Sequence, residues 1–463
     1  MFSTPVLFRR PLLGLFVPFL ACAGPLPQLA TESDLSRATG TSSLLQFQWE
    51  GGPLDVPTTG DPAAASRLSL RDAVERCLVH APELQEGLSQ VEVALAAAEQ
   101  ARTFSNPVIS VVWRFGQGPT AFEAGLTESI VDLLQTRRRA SAADHRLEGA
   151  VSAALTIAID LLAEVQARYA EAQAADLALP LLRERAAGLD RLLELADSRL
   201  RAGEGSALER ATVAVQRFDL DRAIEVATRA GRQARVLLSH RLGEPSGEAE
   251  WELDPWSPPS AVAGPESSWI AAALASRPEL RAQQFLLAAL GDDEALASWA
   301  PWQGATIGAE TQRTPVWFTG PNATVPLPVF DTGAAASHRA RAEVAAARHR
   351  LTEIARGVVA EVRVAHGELQ GRCAELQRVR GEQLPAQQRL VELATSAQRR
   401  GQQDAGSVLF AEQVLAVAQL AALELERDAQ IARIRLRRAV GGVAAEASAT
   451  ADTSMAVATE ERQ

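Results

Sequence analysis

The chain has 463 residues, with 57 acidic residues against 46 basic ones, all of them arginine, and a formal net charge of −11. That balance excludes a nucleic-acid partner, because no continuous basic surface is available to neutralise phosphates. Three cysteines in a chain of this length exclude a disulfide framework.

Residues 1–23 read as a secretory signal, with Arg9 and Arg10 ahead of an apolar run, Pro11 to Leu20, that is too short to span a bilayer. Two processing routes fit. Ala21-Cys22-Ala23 suits ordinary cleavage after Ala23, and Phe19-Leu20-Ala21-Cys22 is a lipobox-like sequence that would make Cys22 a lipidation site. Residues 24–66, rich in Pro, Gly, Ser and Thr, read as an extended arm.

A first repeat is expected over 67–243. Ser69 can cap a helix that runs to about Thr103 and breaks at Pro82. The period then switches to two, and a β-hairpin is expected over 107–127, with Arg114 and Glu123 on the side opposite the aromatics. A long helix follows over 137–201. Its apolar residues Leu147, Val151, Leu155, Ala158, Leu162, Val165, Tyr169 and Ala172 are spaced close to the 3.5 residues of a coiled coil. Such a helix is about 100 Å long at 1.5 Å per residue, too long for an ordinary core, so it needs helical partners along its length. Gly203 ends it, Ser206 starts the next helix, and that helix runs over 207–241.

After a Trp/Pro/Glu-rich insert at 244–266 the pattern returns over 267–442. Pro82-Glu83-Leu84 recurs as Pro278-Glu279-Leu280, Gly203 as Gly401 and Gly243 as Gly441. The second copy contains a hairpin over 304–329, a long helix over 334–400 and a helix over 405–440. The tail, 443–463, is expected to be disordered. The fold class is therefore mainly α with a small β part, in two structural repeats. Two shorter helices end to end match one long helix, so each half reads as a bundle with its hairpin at one end.

Trp113, Phe115, Phe122, Trp317 and Phe318 suit a lipid-facing girdle. Four strands cannot close a barrel alone, so closure would come from oligomerisation. A small soluble sheet capping a coiled-coil scaffold without a pore is the alternative. No catalytic, cofactor or metal constellation is read, so no enzyme activity is expected. The six histidines are scattered, and Cys77 and Cys373 read as small buried apolar residues. Arg114, Glu123 and Glu310 could line a lumen or simply be polar surface.

The order of elements resembles the TolC-like outer-membrane efflux proteins over about 67–442. The resemblance is carried by Leu-Ser-Leu-Arg-Asp-Ala at 68–73, the Pro-Glu-Leu pair, Ser105-Asn106-Pro107, the stretch from Arg201 to Glu209, and the stretch from Pro326 to Gly333. It implies a homotrimer whose long helices form an α-barrel and whose strands share one transmembrane β-barrel. Such a trimer would work with a periplasmic adaptor and an inner-membrane pump, in efflux or type I secretion. On that resemblance Gly203, Glu204, Gly205, Ser206, Leu208, Gly401 and Asp404 form the adaptor-docking tips. Outer-membrane lipid is the remaining partner implied.

Overall fold

The computed structural model describes residues 67–116, 120–243, 251–259, 264–443 and 445–446. The expected signal segment 1–23 with Cys22, the arm 24–66, the hairpin turn at 117–119, much of the insert and the tail from 447 onward lie outside the described residues.

The elements run in the order β1 (Arg67–Leu68), α1 (Leu70–His80), α2 (Pro82–Arg102), β2 (Val108–Arg114), β3 (Ala121–Ser129), α3 (Ile130–Ala202) and α4 (Ala207–Arg241). There follow β4 (Glu252–Leu253), α5 (Glu266–Ser276), α6 (Pro278–Ala297), β5 (Thr306–Arg313), β6 (Trp317–Thr324), α7 (Ala334–Arg378), α8 (Leu384–Arg399) and α9 (Ala405–Val440). The chain is mostly helical with a few strands. Of the described residues, Leu95–Asp144 and Asp292–Ala340 form one compact unit, and the remainder form a second.

The first unit is built on one antiparallel sheet of order β2-β3-β5-β6. Beneath it Ser105 Oγ donates to Glu128 at 2.6 Å, Ser141 Oγ donates to Asp292 at 2.7 Å, and Arg102 pairs with Asp144 at 2.7 Å. The long helix α3 starts at Ile130 rather than at 137. Strand β3 passes straight into it: Ser129 Oγ accepts from the Asp132 N–H at 3.2 Å, and the Ile130 N–H donates to Ala305 O at 3.1 Å. The coiled-coil stripe begins only at Leu147, so these first turns carry little of the pattern that marks the rest.

In the second unit every residue of that stripe, Leu147 through Ala172, is buried. Burial of each leucine contributes about 2 kcal/mol. A second core joins Trp269 and Leu280 to Val358, Val362 and Leu369 of α7 and Leu436 of α9. Two ion-paired clusters occupy matching places in the chain. Arg241 pairs with Glu83 at 2.8 Å and with Glu164 at 2.7 Å. Arg438, 197 residues later, pairs with Glu361 and, at 3.9 Å, with Glu279. Arg438 also reaches Asp160 at 2.7 Å. Burial opposes its charge, but the Asp160 and Glu361 carboxylates outweigh that and push its pKa above the ordinary arginine value. The buried Arg277, between α5 and α6, adds bonds to Glu361 at 2.8 Å and to Ala439 O at 2.8 Å.

The second long helix is not continuous over 334–400. Between α7 and α8 lies a π-helical turn, Val379–Gln383, closed by a bond from the Leu384 N–H to Val379 O. Pro385 follows at once, and its ring would clash with a carbonyl one α-turn back; the widened turn relieves this. The tail also departs from the expectation in its first residues. Past Gly441 at φ 100° the chain makes a further helical turn, in which Ala445 is buried and Glu446 accepts from Arg433 at 3.3 Å.

Candidate functional site

The sheet has two chemically distinct faces. Pairing Trp113 with Phe122, Phe122 with Arg313 and Arg313 with Trp317 sets four side chains in one row. Trp113 and Phe122 lie 5.2 Å apart, Phe122 and Trp317 lie 6.0 Å apart, and the Arg313 guanidinium sits 5.6 Å over the Trp317 ring. Val111, Ile109 and Leu126 continue this face along the strands.

The opposite face carries Arg114, Glu123 and Glu310. Arg114 is ion-paired with Glu123, Gln312 Nε2 donates to Glu123 at 3.3 Å, and Asn322 Nδ2 donates to Glu310 at 2.9 Å. Phe318 belongs here and not with the other aromatics. It is paired with Gln312, in the row of Glu123, because adjacent residues Trp317 and Phe318 of one strand must point to opposite faces. Among the described residues β2 and β6 each pair on one side only, so both edges of the sheet are open.

In the second unit the helix-to-helix turns share one geometry. Gly203 at φ 75° and Gly401 at φ 71° adopt the left-handed conformation that an L side chain resists. The Glu204 N–H donates to Arg199 O at 2.9 Å, and the Gln402 N–H donates to Ala397 O at 3.0 Å. The Gly205 N–H likewise donates to Arg199 O, at 3.1 Å. The next helices are capped alike, Ser206 Oγ accepting from the Glu209 N–H at 3.1 Å and Asp404 Oδ1 from the Ser407 N–H at 3.0 Å. Arg199 pairs with both Asp404 and Glu209, which brings the two turns together. Glu204 is exposed, and Leu208 presents 77 % of its surface.

The insert supplies a third feature, which sequence reasoning missed. Leu68 and Leu253 pair in parallel, and the only tyrosine of the chain ties the clasp. Tyr169 Oη donates to Leu68 O at 2.7 Å and accepts from the Asp254 N–H at 2.8 Å. Burial pushes its phenol up to about 12. The Asp254 carboxylate accepts from the Leu70 N–H at 3.1 Å, joining Ser69 in capping α1. Further along, Trp256 Nε1 donates to Glu426 at 2.8 Å, and Glu426 also accepts from Arg380 of the π turn at 2.6 Å. A polar residue, Tyr169, inside an apolar stripe was the one signal in the sequence for this clasp.

Among the described residues, none of these three places sets a nucleophile beside a base. Cys77 is buried, and that burial pushes its thiol up to about 11, away from thiolate chemistry. Among the described residues no group of three or more His, Cys, Asp or Glu side chains could hold a metal ion.

Residues 269–442 match the model of the outer membrane efflux protein family. The fold is that of solved outer-membrane channels. The outer-membrane channel OprN shares 18 % identity at a TM-score of 0.66, covering 81 % of this chain and 90 % of its own. The outer membrane protein VceC of Vibrio cholerae shares 15 % at 0.66, covering 81 % of this chain and 96 % of its own. The open state of the MtrE outer membrane channel of Neisseria gonorrhoeae shares 17 % at 0.64, covering 86 % and 98 %. No curated protein sequence matches the chain.

Proposed function

We propose that this chain, whose residues 269–442 match the model of the outer membrane efflux protein family, works as a passive outer-membrane exit duct. The observation that carries the reading is the sheet of the first unit. One face is mainly apolar and aromatic, its Arg313 lying over Trp317, the other holds Arg114, Glu123, Glu310 and Gln312, and among the described residues both edges are open. In hydrocarbon an open edge leaves backbone N–H and C=O groups without partners, so the strands cross a bilayer only when closed into a barrel. Three copies of the four strands close it, with the aromatic face toward lipid and the charged face toward the lumen. From the Trp113–Trp317 row to Val108 and Thr324 the strands rise about 20 Å, close to the apolar band of an outer-membrane barrel.

The helical body stands in the periplasm, and small molecules or metal ions pass through it as cargo. The paired turns around Gly203 and Gly401, with Glu204, Gly205, Ser206, Leu208 and Asp404, dock on a periplasmic adaptor that links the duct to an inner-membrane pump. Energy comes from that pump, and gating is a rearrangement of the turns. A soluble coiled-coil scaffold is not favoured, since it has no use for the exposed apolar face of the sheet.

Membrane fractionation followed by the mass of the detergent-extracted particle tests the reading. An outer-membrane species of three chains supports the duct, and Gly203→Pro then abolishes cargo export without removing the particle from the membrane. A single chain released without detergent would refute it.

A further inference from the structure

Between β6 and α7 the chain presents Val325-Pro326-Leu327-Pro328-Val329-Phe330. Leu327 exposes 82 % of its surface, Val329 71 %, and Phe330 is wholly exposed. Four apolar side chains in six residues, each more than half exposed, make a concentrated apolar patch outside the helices.

The segment is held at both ends. Thr324 is in register with Thr306 in the sheet. At the other end Asp331 Oδ1 accepts from the Gly333 N–H at 2.9 Å, and Gly333, at φ 73°, lies so close to Pro301 that a Cβ would fall 2.6 Å from its Cγ. Pro326 and Pro328 have no N–H to donate and hold φ near −65°, so the ladder stops at Thr324; the chain then bends at Val329 and Phe330, where the Val329 N–H donates to Leu327 O at 2.8 Å. The apolar side chains are therefore presented on a preorganised loop.

We propose that this loop is a seal between copies: Leu327 and Phe330 of one chain seat against Phe104 and the residues that lead into β2 of the next. The inference rests on the closed-barrel reading above. Strand directions alternate through β2-β3-β5-β6, so β6 of one copy meets β2 of the next in antiparallel pairing. Antiparallel pairing sets the end of β6 opposite the start of β2. Residues 325–330 then pass beside the residues that lead into Val108, where Phe104 is exposed. Lipid is the poorer occupant. A proline-broken segment outside the ladder carries carbonyls that hydrocarbon cannot satisfy, whereas a neighbouring chain can.

The test uses the full-length protein in its membrane, with the photoreactive analogue p-benzoylphenylalanine at position 330. The wholly exposed site leaves the fold of a single chain undisturbed. Illumination is expected to yield cross-linked pairs whose joined peptide maps to residues 100–110 of a second copy. Three-chain particles that cross-link to lipid, to nothing, or elsewhere on the neighbour overturn the seal and leave the duct standing. A single-chain particle refutes the duct itself. In parallel, Phe330→Asp is expected to lose at least tenfold of the three-chain fraction in detergent, with Phe330→Leu retaining it; an unchanged fraction in the aspartate variant overturns the seal.

Discussion

A Cβ placed on Gly203 meets nothing within 4 Å, whereas one on Gly333 would lie 2.6 Å from Pro301, although both residues have φ near 75°. Gly203→Ala thus carries only the left-handed backbone penalty, about 1 kcal/mol. Gly333→Ala adds overpacking and is expected to cost at least a further ~1 kcal/mol. Denaturant midpoints of the two variants in detergent check the order. Cys77 makes a pH-dependent contribution whose sign follows from its burial. The thiol rises from 9.0 to about 11, so above pH 9 the unfolded chain binds fewer protons than the folded one. Stability present below pH 9 falls by about 1 kcal/mol per pH unit from this group as the pH climbs toward 11. Tyr169, raised from 10.0 to about 12, joins above pH 10. Unfolding free energies of Cys77→Ala between pH 9 and 10 are expected to show a slope shallower by about 0.7 proton than the parent's.

Among the elements, the long helices and the hairpins were legible because each has a period that one residue after another repeats. Leu147 through Ala172 carry the coil spacing, and all are buried. The face of Phe318 was not legible, since it depends on which strand pairs with β6 and in what register. The π turn left almost no trace either: it preserves helical composition, and only Pro385 marks it. Its fixing by Arg380, Glu426 and Trp256 joins residues 46 and 170 positions apart, beyond any local pattern. Trp256→Phe keeps the ring and removes the donor. It is expected to speed amide exchange at 379–383 several-fold while leaving α3 unchanged, read by hydrogen-exchange mass spectrometry. Asp404→Ala removes a helix cap and the partner of Arg199 together, and is expected to destabilise by about 1 kcal/mol more than Ser206→Ala, which removes a cap alone.

For the whole molecule, the duct reading turns on which groups meet the solute. Glu123 is ion-paired with Arg114, whereas Glu310 accepts a hydrogen bond from the uncharged Asn322. On the duct reading, three copies would present a ring of three such carboxylates. Glu310→Gln is expected to lower the cation preference of single channels in planar bilayers at low salt, with a smaller effect at 1 M, where the Debye length falls to about 3 Å. Glu123→Gln exposes the unpaired Arg114 and is expected to shift the preference further toward anions. The paired clusters around Arg241 and Arg438 became visible only with the fold, although the Pro-Glu-Leu repeat had already marked Glu83 and Glu279 as equivalent.

The clasp between Arg67–Leu68 and Glu252–Leu253 bears on how such a chain is made. On the outer-membrane reading proposed above, export would deliver the N-terminus first, so β1 would wait across the inner membrane until some 185 further residues had been threaded through. Until Asp254 arrives, α1 lacks one of its two caps and Tyr169 has no backbone amide to receive. Loop closure over that distance is slow compared with local helix formation. On that reading a periplasmic holdase would have a defined window in which to work, closing once Asp254 had been translocated.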